Sequence, residues 1–226
     1  MLGRAAVAMW WDILPEMKSE FEDWHSHEHM PERLRIPGFL RGTRWISISG
    51  EPSYFILYET ARLATVTGGA YLERLNDPTP WSRKMMPHHR NMVRSLCRVR
   101  ESFGGGVADA LATIRFSPMP GRGRSVANWL AAEVMPAIPG RKGLTSAQLL
   151  VSQPMAGPAQ TIEQKIRGQD AAAEAVLLVG GYDVDAVRAV VANELGAERF
   201  ASHGARAGRI EGYYRPAFSL TSRDRP

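Results

Sequence analysis

Apolar residues in this chain gather in short runs set between turn residues, and the runs come twice in the same order. The first half carries Ala5 to Ile13, Thr43 to Ser49, Tyr54 to Glu59 and Val93 to Phe103. The second carries Ala110 to Phe116, Thr145 to Ser152, Ala175 to Gly180 and Gly208 to Leu220. Their length and partial alternation predict strands. Helical spacing replaces this pattern over Pro15 to Met30 and Leu63 to Asn76, around Trp129, and over Val184 to Phe200. Each half therefore reads β-α-β-β-α-β, and the fold class is α+β: two tandem ferredoxin-like repeats with antiparallel sheets. Gly104-Gly105-Gly106 separates an N-terminal unit, residues 1–103, from a C-terminal unit, residues 107–226.

A short motif sets the alignment of the halves. With Pro31 placed over Pro136, Trp24 falls on Trp129, Glu28 on Glu133 and Met30 on Met135, and Pro37-Gly38 matches Pro139-Gly140. The histidines do not repeat. His25, His27 and His29 stand where the second copy has Leu130, Ala132 and Val134. The shared residues read as scaffold, and the histidines as candidate chemistry confined to the N-terminal half. Phe21, Trp24, His25 and Glu28 share one face of the first helix, with His29 one turn beyond His25. Pro31 cannot continue the hydrogen-bond ladder, so the helix is expected to end or kink at Met30. His29 would then sit near a helix C-terminus, where the dipole favours imidazolium and raises its pKa.

The strands are two-faced. Thr43, Trp45 and Ser47 oppose Arg44, Ile46 and Ile48, and Tyr54, Ile56 and Tyr58 oppose Phe55 and Leu57. The apolar faces are expected against the helices, and the mixed faces against a second sheet or a ligand. Trp10 and Asp12 share a face of the first strand, and Arg94 and Arg98 share one of the fourth. His27 reads as solvated and His88-His89 as loop residues. The connection from Gln153 to Ala173 is long and contains a helical stretch, Thr161 to Arg167; such a loop is either a lid or a surface excursion.

Composition narrows the classes. A net charge of +5 and a pI near 9.6 come from scattered arginines with no stripe, tail or aromatic RNA-reading motif, so no nucleic-acid partner is expected. An anionic small ligand uses the same charge. No apolar run is long enough to span a bilayer, no signal-peptide layout stands at the N-terminus, and Cys97 is the single cysteine. These features predict a cytoplasmic protein without a membrane partner.

Trp24, Glu28-His29-Met30-Pro31, Leu34 and Pro37-Gly38-Phe39 resemble the motif of the EthD-like branch of the dimeric α/β-barrel superfamily. The tandem arrangement, the Asp77-Pro78-Thr79-Pro80-Trp81 loop and Leu177 to Asp183 resemble one bacterial group within it. The resemblance implies ferredoxin-like sheets packed face to face as an α/β barrel, here as an intramolecular pseudo-dimer, with a homodimer left open. It carries the motif histidine onto His29. Relatives of this fold include polyketide cyclases, small monooxygenases, isomerases and haem enzymes, so the fold alone does not choose a reaction.

Three functions fit. The first is an enzyme acting on an aromatic or polyketide-like molecule without a cofactor, as a cyclase, isomerase or monooxygenase. His29 or His25 would move the proton, with Asp12 or Glu28 orienting the ring. Trp10, Trp45 and Tyr58 would wall the site, and Arg44, Arg94 and Arg98 could pair with an anion. The second is a ligand-binding or structural protein without turnover. The third is a metal or haem site built on His25 and His29, which would need a third ligand from Asp12 or His88.

Overall fold

In the computed structural model, which describes residues 1–50, 52–153, 160–168 and 170–224, the first apolar run forms β1 (Ala5–Ile13). A helical segment follows in three parts: α1 (Lys18–Trp24), a π-turn over His25–His29, and α2 (Met30–Leu34). Next come β2 (Phe39–Ser47), β3 (Tyr54–Thr60), α3 (Leu63–Thr67), α4 (Gly69–Asn76), α5 (Pro80–Met85) and β4 (His89–Gly104). The second half repeats the scheme with β5 (Ala110–Phe116), α6 (Gly123–Trp129), a π-turn over Leu130–Val134 and a 3-10 turn over Met135–Gly140. It continues with β6 (Leu144–Ser152), α7 (Ile162–Arg167), β7 (Ala175–Gly181), α8 (Val184–Asn193), α9 (Ala197–Ser202) and β8 (Ile210–Thr221). Among the described residues no helix is long and apolar enough to cross a membrane.

The strands close into one antiparallel barrel in the order β1-β3-β2-β8-β5-β7-β6-β4. Within each half the fourth strand lies beside the first, the first beside the third and the third beside the second, the ferredoxin-like order. The barrel closes where β2 meets β8 and β4 meets β6. Register repeats as well as order. Trp11 pairs with Tyr54 and Tyr54 with Ile46; Phe116 pairs with Ala175 and Ala175 with Val151. Both second strands slip register at the same place, between Phe39 and Arg41 and between Leu144 and Ser146. These registers equate Gly42 with Ala147, Arg44 with Leu149, Tyr54 with Ala175 and Tyr58 with Val179.

The side chains sort into three apolar layers. The barrel interior holds Ala6, Ala8, Trp10, Trp45, Phe55, Leu57, Leu111, Leu150, Val176, Leu178 and Tyr214. Small alanines leave room there for the indoles, as an eight-stranded barrel filled by side chains requires. Trp10 stacks on Phe55 at 4.8 Å, and its Nε1 donates to Thr113 Oγ1 at 3.2 Å. The other two layers lie outside the barrel, each under the helices of one half. Trp24 and Trp129, each the last residue before its π-turn, are buried in them.

The expected assignment of faces holds for β2, where Trp45 turns into the barrel and Ile46 lies under the helices, and is reversed for β3. Phe55 and Leu57 fill the barrel with Trp45, while Tyr54, Ile56 and Tyr58 lie under the N-terminal helices. A tyrosine suits a helix-facing layer when its tip reaches a polar group. Tyr54 does so, donating to Glu22 Oε1 at 2.9 Å.

Candidate functional site

The helix does not end at Pro31. Proline offers no N–H to the carbonyl four residues back, and its ring crowds that carbonyl. The backbone answers by widening for one turn, and the Met30 N–H bonds to the His25 carbonyl, five residues back. Met135 bonds to Leu130 in the same way ahead of Pro136. Such π-turns are rare and occur often at functional sites. This one carries His25 and His29, so His29 lies inside a continuous helical segment and not at its C-terminus.

The two imidazoles face inward. His25 is 1% exposed and His29 9% exposed. Their rings lie 5.7 Å apart, with Phe21 5.5 Å from His25 and Trp24 4.4 Å from His29. A third histidine joins them at the start of β4. His89 lies 5.2 Å from Trp11, 5.8 Å from Phe21 and 6.0 Å from Trp24. Sequence reading placed it in a loop; β4 begins earlier than its apolar run suggests, and the register with Ile13 turns His89 inward.

The expected rise in the His29 pKa is reversed. Burial, reinforced by Arg33, holds His29 well below the ordinary imidazole value, and burial with Arg44 does the same to His25. Burial takes His89 down to about 3. Desolvation acts on the whole ring, whereas a helix dipole acts only near an end that is not there. All three rings are neutral at neutral pH. Among the described residues His25 Nδ1 and Nε2, His29 Nδ1, the Tyr58 hydroxyl and Arg44 Nε are buried without a hydrogen-bond partner. Buried polar atoms are nearly always paired, so this concentration is unusual.

The remaining candidates divide into those facing this layer and those elsewhere. Tyr58 and Arg94 face it; Arg94 donates to the Tyr71 hydroxyl at 2.9 Å. Burial raises the Tyr58 pKa and keeps its hydroxyl protonated. Arg44 is buried and donates to the Glu22 carbonyl at 3.0 Å, and burial lowers its pKa. Trp10 and Trp45 lie on the opposite face of the sheet, inside the barrel, and cannot wall a site built on the histidines. Asp12 accepts from the Ser53 backbone at 2.6 Å, the Ser53 hydroxyl at 2.8 Å and Asn91 at 3.0 Å, so it ties strand ends together and does not orient an imidazole. Glu28 accepts from Trp24 Nε1 at 3.1 Å and Thr79 Oγ1 at 2.5 Å, which anchors the π-turn to the loop before α5. Arg98 is exposed and reaches Gln153. His27 is exposed and bonds Asp23 at 2.8 Å. Among the described residues no three His, Cys, Asp or Glu side chains form a metal-binding group, so neither Asp12 nor His88 completes a set with His25 and His29.

The long loop of the C-terminal half supplies residues that sequence reading missed. Residues 154–159 and 169 of it lie outside the described residues. Thr161 caps α7 with a capping box formed with Gln164. α7 packs on the N-terminal half: Ile162 N–H donates to Asn76 Oδ1 at 3.1 Å, and Ile166 joins the apolar layer there. Glu163 forms a buried ion pair with Arg33. Burial opposes the charge on Arg33, but Glu163 and Tyr71 hold its pKa up. Helical periodicity predicts α7, but nothing local to either residue announces a pair so distant in sequence.

The sheet separates Trp10 and Trp45, which fill the barrel, from Tyr58, His25 and His29, which lie under the N-terminal helices, so these residues do not line one common cavity. A cavity of about 550 Å³ opens instead in the outer layer of the C-terminal half, lined by Phe116, Ala127, Leu149, Val151 and Ala175.

No protein-family model and no curated protein matches the chain. Solved structures share its fold over nearly the full length. An anthrone oxidase-like protein superposes with a TM-score of 0.64 at 10% identity, covering 97% of this chain and 93% of its own. A candidate monooxygenase from Fusobacterium nucleatum gives 0.61 at 9% identity, covering 98% and 96%. Another from Lactobacillus acidophilus gives 0.58 at 9% identity, covering 97% of each. At such identities the likeness establishes the ferredoxin-like barrel fold.

Proposed function

We propose that the chain is a small-molecule enzyme that oxidises an aromatic or polyketide-like substrate with dioxygen and without a cofactor, and that His29, backed by His25, is its base. The observation that carries this reading is the pair of buried, neutral imidazoles of His25 and His29, in which both nitrogens of His25 and Nδ1 of His29 have no partner, beside Tyr58, Arg33 and Arg44. The names of the proteins sharing the fold agree with it. His29 is the more accessible of the two π-turn rings and is flanked by α7.

The chemistry follows from the environment. A neutral imidazole takes a proton from an activated methylene of the substrate. The resulting carbanion is stabilised by delocalisation onto oxygen, where the protonated Tyr58 hydroxyl and the Arg33 and Arg44 guanidiniums favour negative charge. Burial lowers the histidine pKa values first, and the guanidiniums that add to that lowering also stabilise the substrate anion. That anion passes its electrons to dioxygen. A carbon–oxygen bond forms, the hydroperoxide takes back the proton, and loss of water leaves a carbonyl. Cyclisation and isomerisation would begin with the same proton transfer and consume no oxygen.

Oxygen uptake with an anthrone, read beside quinone absorbance, tests this. Turnover should be flat through neutral pH and fall only in acid well below 6.5, because the base has a lowered pKa. His29→Ala should reduce it by about 10²-fold or more with the fold intact. Absence of oxygen uptake across a panel of anthrones and phenols, or an unaffected His29→Ala, defeats the reading.

A further inference from the structure

The cavity of the C-terminal half is explained by comparison with its N-terminal counterpart. There, Tyr54, Arg44 and Glu22 meet: the Tyr54 hydroxyl donates to the Glu22 carboxylate at 2.9 Å, and Arg44 donates to the Glu22 carbonyl at 3.0 Å. Their bulk fills the space between helix and sheet. The registers place Ala175 at the position of Tyr54 and Leu149 at that of Arg44. Ala127, two residues before Trp129, stands where Glu22 stands before Trp24. All three line the cavity, and the volume they leave is about 550 Å³, within the range of small-molecule sites.

The lining states what would fit. The walls are hydrocarbon and aromatic, and among the described residues neither histidine nor cysteine lines them. The mouth carries Arg100, Arg124 and Glu174. Arg100 faces Glu101 at 3.8 Å, and Arg124 has no ion-pair partner among the described residues. Positive charge is thus in excess at the opening of an apolar chamber. We infer that this cavity is a second site, without chemistry of its own, that binds a small hydrophobic molecule carrying one anionic group. The body would fill the chamber beside Ala175, and the anionic group would stay at the mouth on Arg124.

Calorimetric titration of the full chain with 1-naphthoate and with neutral 1-naphthalenemethanol tests this independently of any turnover. Naphthoate should bind at one site. Ala175→Tyr, which installs the side chain of the other half, should weaken it at least about tenfold with an unchanged circular dichroism spectrum. Val151→Phe should do the same and serves if the tyrosine variant does not fold. Arg124→Ala should weaken naphthoate about tenfold and leave naphthalenemethanol unchanged. Absence of naphthoate binding, unchanged binding in both cavity-filling variants, or a loss that follows His29→Ala instead would overturn the proposal.

Discussion

The two outer layers of the barrel share strand order, register, π-turn and buried tryptophan, yet differ in what lies between helix and sheet. In the N-terminal layer the positions under the π-turn carry His25, His29, Arg44 and Tyr58. In the C-terminal layer the same positions carry Leu130, Val134, Leu149 and Val179, all buried and apolar. One layer is crowded, polar and short of hydrogen-bond partners; the other is apolar and contains a cavity. The scaffold accommodates both, which shows that the π-turn belongs to the Met-Pro step and not to the histidines. The polar set is therefore an addition that the fold does not need. Buried polar atoms without partners cost stability, and a gain elsewhere must offset them.

The largest effect should come from breaking the link between the halves. Arg33 and Glu163 form a buried ion pair that holds α7 on the N-terminal layer. Glu163→Ala leaves the buried guanidinium with only the longer contact to Glu32, at 3.4 Å, and should cost about 3 kcal/mol in urea denaturation. Replacing both residues, Arg33→Met with Glu163→Leu, should be nearly neutral, because the desolvation penalty disappears with the pair.

Acid should separate the layers next. His25, His29 and His89 have folded pKa values below that of the unfolded chain, so the unfolded state takes up more protons as pH falls below 6.5. Stability is thus full above that value and is lost on acidification, down to about pH 3 for His89. Between pH 7.5 and 5.5 each ring contributes a loss on the order of 1 kcal/mol, a few kcal/mol for the three together. Urea midpoints at the two pH values measure it. His25→Leu with His29→Val, the residues of the other half, should remove about two thirds of the dependence.

A smaller effect sharpens the comparison within the sheet. Gly42 faces Tyr58, and a Cβ there would stand 2.8 Å from its ring; the equivalent pair, Ala147 and Val179, already carries the methyl group. Gly42→Ala should cost about 1–3 kcal/mol by thermal melting. Adding Tyr58→Val should recover most of it.

The strand order was legible because the apolar runs, their spacing and the Trp and Met-Pro motif repeat, and local pattern fixes such elements. The inward-facing histidines were legible from the contrast with Leu130 and Val134. Three things were not. The π-turn arises from a backbone response to Pro31 that side-chain periodicity does not encode. The face each strand turns inward depends on barrel closure, which placed Trp10 and Trp45 away from the histidines. His89 and the Arg33–Glu163 pair come together only through contacts between residues far apart in sequence, so no local window contains them.

The central claim is that the histidines of the N-terminal layer do the chemistry on a scaffold that does not require them. The most direct measurement compares anthrone-dependent oxygen uptake and melting temperature in the wild-type chain and in His25→Leu/His29→Val. The account predicts uptake reduced by about 10²-fold or more, with a melting temperature equal to or above that of the wild type. A double variant that consumes oxygen at the wild-type rate would contradict it, since the histidines would then be scaffold and the chemistry would lie elsewhere.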